Sequence, residues 1–100
     1  MNDKMKLKQL EKVSDYQKVL KNARLLYGRD VYPSTRKEKK YMILDDDDHW
    51  VHFGSIHYQD WTYHHDPIRR HSYLKRAMNI RGNWKDNSFS PNQLSIILLW

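Results

Sequence analysis

Lys40-Tyr41-Met42-Ile43-Leu44-Asp45-Asp46-Asp47-Asp48-His49-Trp50-Val51-His52-Phe53-Gly54 is the stretch that decides the fold class of this chain. Two short runs with β-branched and aromatic residues, Lys40–Leu44 and Trp50–Phe53, flank four aspartates, a residue type that tolerates tight backbone geometry. The pattern predicts a β-hairpin over residues 40–53 that ends at Gly54. The segments on both sides carry apolar residues at helical spacing, so the class expected is α+β.

Downstream, Asp66-Pro67 predicts a helix start: the carboxylate accepts an otherwise orphaned amide hydrogen bond, and proline fills the first helical position without losing one. That helix is expected over 67–80, with Ile68, His71 or Tyr73, Leu74, Ala77 and Met78 inward and Gly82 ending it. Ser90-Pro91-Asn92-Gln93 has the spacing of a capping box, Ser reaching forward and Gln reaching back. It predicts a last helix over 91–100, carrying Leu94, Ile97, Leu98 and Trp100. Upstream, Leu7, Leu10, Val13, Tyr16, Leu20, Ala23 and Leu26 recur every three or four residues, predicting one long amphipathic helix from about Lys4 to Tyr27. Asn2 or Asp3 is its expected cap and Gly28 its expected left-handed closure. Residues 29–39, with Pro33, read as a linker. The organisation expected is a basic amphipathic helix and linker over 1–38, then a small α+β domain over 39–100.

One hundred residues allow a single small core, burying roughly two-thirds of the unfolded surface. Seven Tyr and four Trp against two Phe favour half-buried and interfacial positions, because their rings carry polar handles. The absence of cysteine excludes a disulfide scaffold, a thiol nucleophile and a Cys-based zinc site. No run approaches the roughly 20 apolar residues of a bilayer span, and the first residues lack the apolar core of a secretory signal. A cytosolic or nuclear protein, or one packed inside a particle, is expected, without a membrane partner. Charge is segregated: net +7 over residues 1–44, −6 over 45–66 and +5 over 67–100. Five of the six histidines lie in the acidic block, where protonation near pH 6 would cancel most of its charge.

No motif announces catalysis. The four aspartates lack the alternating ligands and central glycine of an EF-hand. His52, His57, His64, His65 and Asp66 supply metal-ligand types without a recognised spacing, so no metal and no cofactor is expected. The three scattered glycines make no phosphate loop. Around Tyr58–Arg76, aromatics and arginines interleave. Trp61, Tyr63, Arg69, Arg70, Tyr73, Arg76, Trp84 and Trp100 are the candidate partner-binding residues, of the types enriched both at protein interfaces and on surfaces that take phosphates and stacked bases.

From Lys39 to Trp100 the chain resembles an uncharacterised family of short basic proteins of large double-stranded DNA viruses of the nucleocytoplasmic type, with relatives in phages and archaea. The resemblance rests on Lys39-Lys40-Tyr41-Met42-Ile43, His52-Phe53-Gly54, Tyr58-x-Asp60-Trp61-Thr62-x-His64-x-Asp66, Arg69-Arg70, Tyr73-Leu74-x-Arg76, Trp84 and Leu98-Leu99-Trp100. It implies a viral setting and no particular reaction. The function expected is that of a non-enzymatic structural protein, a minor capsid or cement component of the virion with other virion proteins as partners and no small-molecule substrate. The alternatives are a basic protein that condenses or packages viral DNA and, third, a His-metal nuclease. Location in the virion, and in host cytoplasm or nucleus during infection, goes with these readings.

Overall fold

The computed structural model describes residues 3–100. In chain order the elements are α1 (Asp3–Glu11), α2 (Tyr16–Tyr27), β1 (Tyr32–Pro33), β2 (Lys39–Leu44), β3 (Trp50–Ser55), α3 (Trp61–His64), α4 (Pro67–Met78), a 3-10 turn (Trp84–Asp86) and α5 (Pro91–Leu94). The last helix runs on into a π-helical turn over Ser95–Leu99. The fold is α+β, with one antiparallel sheet ordered β1-β2-β3.

The hairpin forms where the sequence places it, because Asp45 closes the turn. Its side chain accepts from the amides of Asp47 and His49, each at 2.9 Å, and its own amide donates to the His49 carbonyl at 2.9 Å. Tyr41 then faces Phe53 across the strands, and Ile43 faces Val51. Tyr41, Ile43 and Phe53 are fully buried with Leu10, Val19, Ala23, Val31, Leu94, Leu98 and Leu99. The N-terminal helices, the sheet and the last helix thus share one apolar core.

The single long helix expected from Lys4 to Tyr27 is instead two. The chain leaves α1 after Glu11, and Asp15, in extended conformation, starts α2 by accepting from the Lys18 amide at 3.2 Å. The break has a cause outside the helix. The Val13 carbonyl accepts from the Asp60 amide, the Asp15 amide donates to Thr62, and the Ser14 hydroxyl accepts from Tyr41. Tertiary partners take backbone groups that a continuous helix would use itself. Gly28 does close α2 in the left-handed region, at φ 66°; of the two expected caps, Asn2 lies outside the described residues and Asp3 is the first residue of α1. Of the expected stripe, Leu10 and Ala23 are buried, but Leu7 and Leu26 face outward and Val19 takes an inward place the spacing had not assigned.

The expected linker contains a strand. Tyr32 and Pro33 pair with Met42 and Tyr41, and Pro33 is tolerated because β1 is an edge with no further ladder to complete. Asp66 caps α4 as expected, accepting from the amides of Ile68 and Arg69 at 2.9 and 3.3 Å. The helix stops at Met78, two residues short of the expected end, with Asn79 rather than Gly82 as its C-cap. Its inward face is also narrower: Ala77 is buried, Tyr73 and Leu74 are half-buried, and Ile68, His71 and Met78 are exposed. Ser90 caps α5 by accepting from the Gln93 amide at 3.2 Å. The reciprocal bond from Gln93 does not form, because the Ser90 amide is already given to the Asn87 carbonyl. The expected helix over 91–100 is present in outline, with its second half widened to π geometry.

Candidate interaction site

The site is built on a buried polar network. Lys40 and Asp60, 2% and 0% exposed, form an ion pair at 3.0 Å. Asp60 also accepts from the Thr62 hydroxyl, and Thr62 lies 3.3 Å from Ser14, which in turn accepts from the Tyr41 phenol at 2.7 Å. This chain ties α3 to both the α1–α2 break and β2. Burial holds the Lys40 ammonium below the ordinary lysine range, with Asp60 opposing that fall. Burial likewise pushes the Tyr41 phenol well above the ordinary tyrosine range. Because the Asp60 carboxylate is turned inward, it makes no side-chain cap on α3.

Beside the network stands an aromatic clamp. Tyr73 stacks on Trp100 with ring centroids 4.1 Å apart and planes 8° from parallel. His64 packs against Trp100 with ring centroids 5.1 Å apart, and Trp61 meets the His64 and His65 rings edge-on. The Arg70 guanidinium lies over the Trp61 ring at 4.8 Å and donates through Nε to the main-chain oxygen of Trp100 at 2.8 Å. Four of the expected residues, Trp61, Arg70, Tyr73 and Trp100, are therefore brought together, and they hold α3, α4 and the last turn to each other. His64 Nδ1 accepts from the Asp66 amide at 2.9 Å, which requires that nitrogen to be unprotonated. The imidazole is held below its ordinary range, first by burial and then by the Arg69 charge.

The other expected residues lie elsewhere. Arg69 and Arg76 line a cleft bounded by α4, by the Lys39-Lys40 and Gly54-Ser55 end of the hairpin, and by the last helix; its volume is about 900 Å³. Arg69 donates to the neutral Gln59 side chain at 3.0 Å, so its charge is not balanced there. Tyr63 lies away from the cleft, in a smaller depression beside α1 and Tyr16. Trp84 gives its indole N–H to the Ile80 carbonyl at 2.6 Å and carries Lys85 over its ring at 5.4 Å.

Sequence reasoning had not singled out the apolar rim of the cleft. Tyr58, Ile68 and Ile80 are 70%, 77% and 53% exposed. Ile68 had been assigned to the interior on periodicity alone, and the spacing of α4 carries no sign that the helix stands away from the sheet. Nor does anything local announce that Lys40 and Asp60 meet across 20 residues. The histidines disperse: His52 bonds Ser34 at 2.6 Å, His57 bonds Glu38, and His64 turns to its own loop. Among the described residues no three His, Asp or Glu side chains converge in a way that could hold an ion. No described helix is long and apolar enough to cross a membrane.

Residues 29–77 match the model of a family of unknown function (DUF5754). The matched segment begins just before β1 and ends at Ala77, one residue before the end of α4. It contains the whole sheet, the Lys40–Asp60 pair, and Trp61, Tyr63, Arg69, Arg70, Tyr73 and Arg76. Trp84, Trp100 and both N-terminal helices lie outside it. No curated protein matches the chain, and no solved structure does.

Proposed function

We propose that this chain is a non-enzymatic structural protein that joins neighbouring macromolecular subunits. In the setting its sequence resembles, it is a minor capsid or cement component of a large double-stranded DNA virus particle. The observation that carries the reading is the cleft between α4 and the sheet, where large apolar side chains stand in water beside unbalanced cations. Tyr58, Ile68 and Ile80 are each more than half exposed, while Arg69, Arg76 and Lys39 surround them. Covering such side chains stabilises a contact by about 25 cal/mol per Å² of apolar area. Arg paired with a partner carboxylate adds direction, and a few such anchors carry most of an interface's affinity.

The reading also draws support from what the titratable groups do. Lys40 is engaged by Asp60, His57 by Glu38 and His52 by Ser34, each in a structural bond. The alternative, DNA condensation, uses the same cations for phosphate contacts. Of the candidate rings, Tyr73 is already stacked on Trp100 and the Trp84 indole is bonded to the chain, so base stacking adds little there. The two readings separate by location. Mass spectrometry of purified particles split into shell and core fractions is expected to find the chain with the shell. Enrichment in the core would favour the DNA reading, and absence from particles would overturn both.

A further inference from the structure

The hairpin is electrically polarised along its length. At one end, the cleft is lined by Lys39, Lys40, Arg69 and Arg76 and, among the described residues, by no acidic side chain. Lys40 is neutralised from below by Asp60, which leaves three cations. At the other end stands the Asp45–Asp48 turn. Asp46 pairs with Arg29 at 2.6 Å and Asp45 is spent on the turn amides, but Asp47 and Asp48 are exposed and neither carboxylate has a partner among the described residues. Six strand residues separate the two ends, about 20 Å at the usual rise. A turn so placed cannot reach the cleft of its own molecule.

We propose that copies of this chain associate head to tail, the Asp45–Asp48 turn of one copy seated in the Lys39–Arg69–Arg76 cleft of the next. The inference rests on reading the cleft as an interface, and it names the occupant. Charge is complementary in sign, while cleft against cleft and turn against turn repel, so only the head-to-tail arrangement is favoured. Apolar surface is matched as well. At the base of the turn Tyr32 and Trp50 form an edge-to-face pair at 5.7 Å, 44% and 46% exposed, and the rim of the cleft offers exposed Tyr58 and Ile68 as apolar counterparts. The turn is pre-organised by its own hydrogen bonds and by Arg29, so little freedom is lost on docking. Asp48 keeps a side chain in the left-handed region, φ 60°, where glycine is the easier residue. Because the two surfaces differ, the contact is heterologous and propagates into a ring or an open row.

Sedimentation equilibrium on the full chain tests this with two variants, Arg69→Ala/Arg76→Ala in the cleft and Asp47→Asn/Asp48→Asn in the turn. The wild type is expected to grow beyond a dimer with concentration, and to associate about tenfold more weakly when salt shortens the reach of the charges. Each variant alone is expected to stay monomeric. Mixed, they retain one intact interface per pair and are expected to form a 1:1 dimer that grows no further. A wild type that remains monomeric at about 1 mM overturns the inference. So does association undiminished in either variant, or duplex DNA binding lost in the cleft variant without any self-association. A chain found in particle shells yet monomeric in solution would overturn this inference alone and leave the interface reading standing.

Discussion

At the residue scale, the Lys40–Asp60 pair is the most consequential contact. Removing one member of a buried pair leaves the other charge uncompensated, which costs about 3–5 kcal/mol. Lys40→Met is therefore expected to lower unfolding free energy by about that amount in urea titrations. Lys40→Met with Asp60→Asn is expected to be less damaging than the single change. His64 gives a pH signature. Its folded pKa lies below the ordinary 6.5, so the unfolded chain takes up the proton first as pH falls. The His64 contribution is complete above 6.5 and is lost as pH descends from there to its own lowered value. His64→Phe is expected to flatten that part of the stability-versus-pH curve; an unchanged slope would refute the assignment. His52 is likewise held below its ordinary range by burial.

At the scale of elements, two glycines with left-handed backbones form a matched pair for experiment. A methyl group added at Gly28 would meet nothing within 4 Å, so Gly28→Ala costs only backbone strain, about 1 kcal/mol. At Gly54 it would lie 2.9 Å from Leu99 Cδ1 and 3.2 Å from Lys40 Cβ, at φ 77°. Gly54→Ala is expected to cost the same strain plus about 1–3 kcal/mol of overpacking, because β3 and the last helix must part. Thermal melts of the two variants compare the terms directly. Asp15→Ala removes the α2 cap and is expected to cost about 1 kcal/mol. These sites also mark what the sequence disclosed. The hairpin, the Asp66 cap and the Ser90 cap were legible because each is specified by residues within four positions of one another. The break between α1 and α2 was not, because the Thr62 hydroxyl and the Asp60 amide that cause it come from nearly 50 residues away. Strand β1 was hidden for the same reason: two residues have no period, and only pairing with Met42 and Tyr41 makes them a strand.

At the scale of the whole molecule, one core joins the N-terminal helices, the sheet and the last helix, while α4 stands at its margin, with Ala77 buried, Tyr73 and Leu74 half-buried, and Tyr73 stacked on Trp100. Half of the candidate set was legible as a cluster only in composition. Trp61, Arg70, Tyr73 and Trp100 turn toward one another through a stacked ring pair and a guanidinium lying over an indole face. What remains outward is Arg69, Arg76 and Lys39 with the apolar rim, and the functional account rests on that remainder. Its central claim is that this cleft attaches the chain to its neighbours in the particle. The most direct measurement is the amount of Arg69→Ala/Arg76→Ala chain retained in the shell fraction of purified particles, relative to wild type expressed equally. The account predicts a loss of at least about tenfold, the equivalent of 1.4 kcal/mol. Equal retention of the two chains would contradict it.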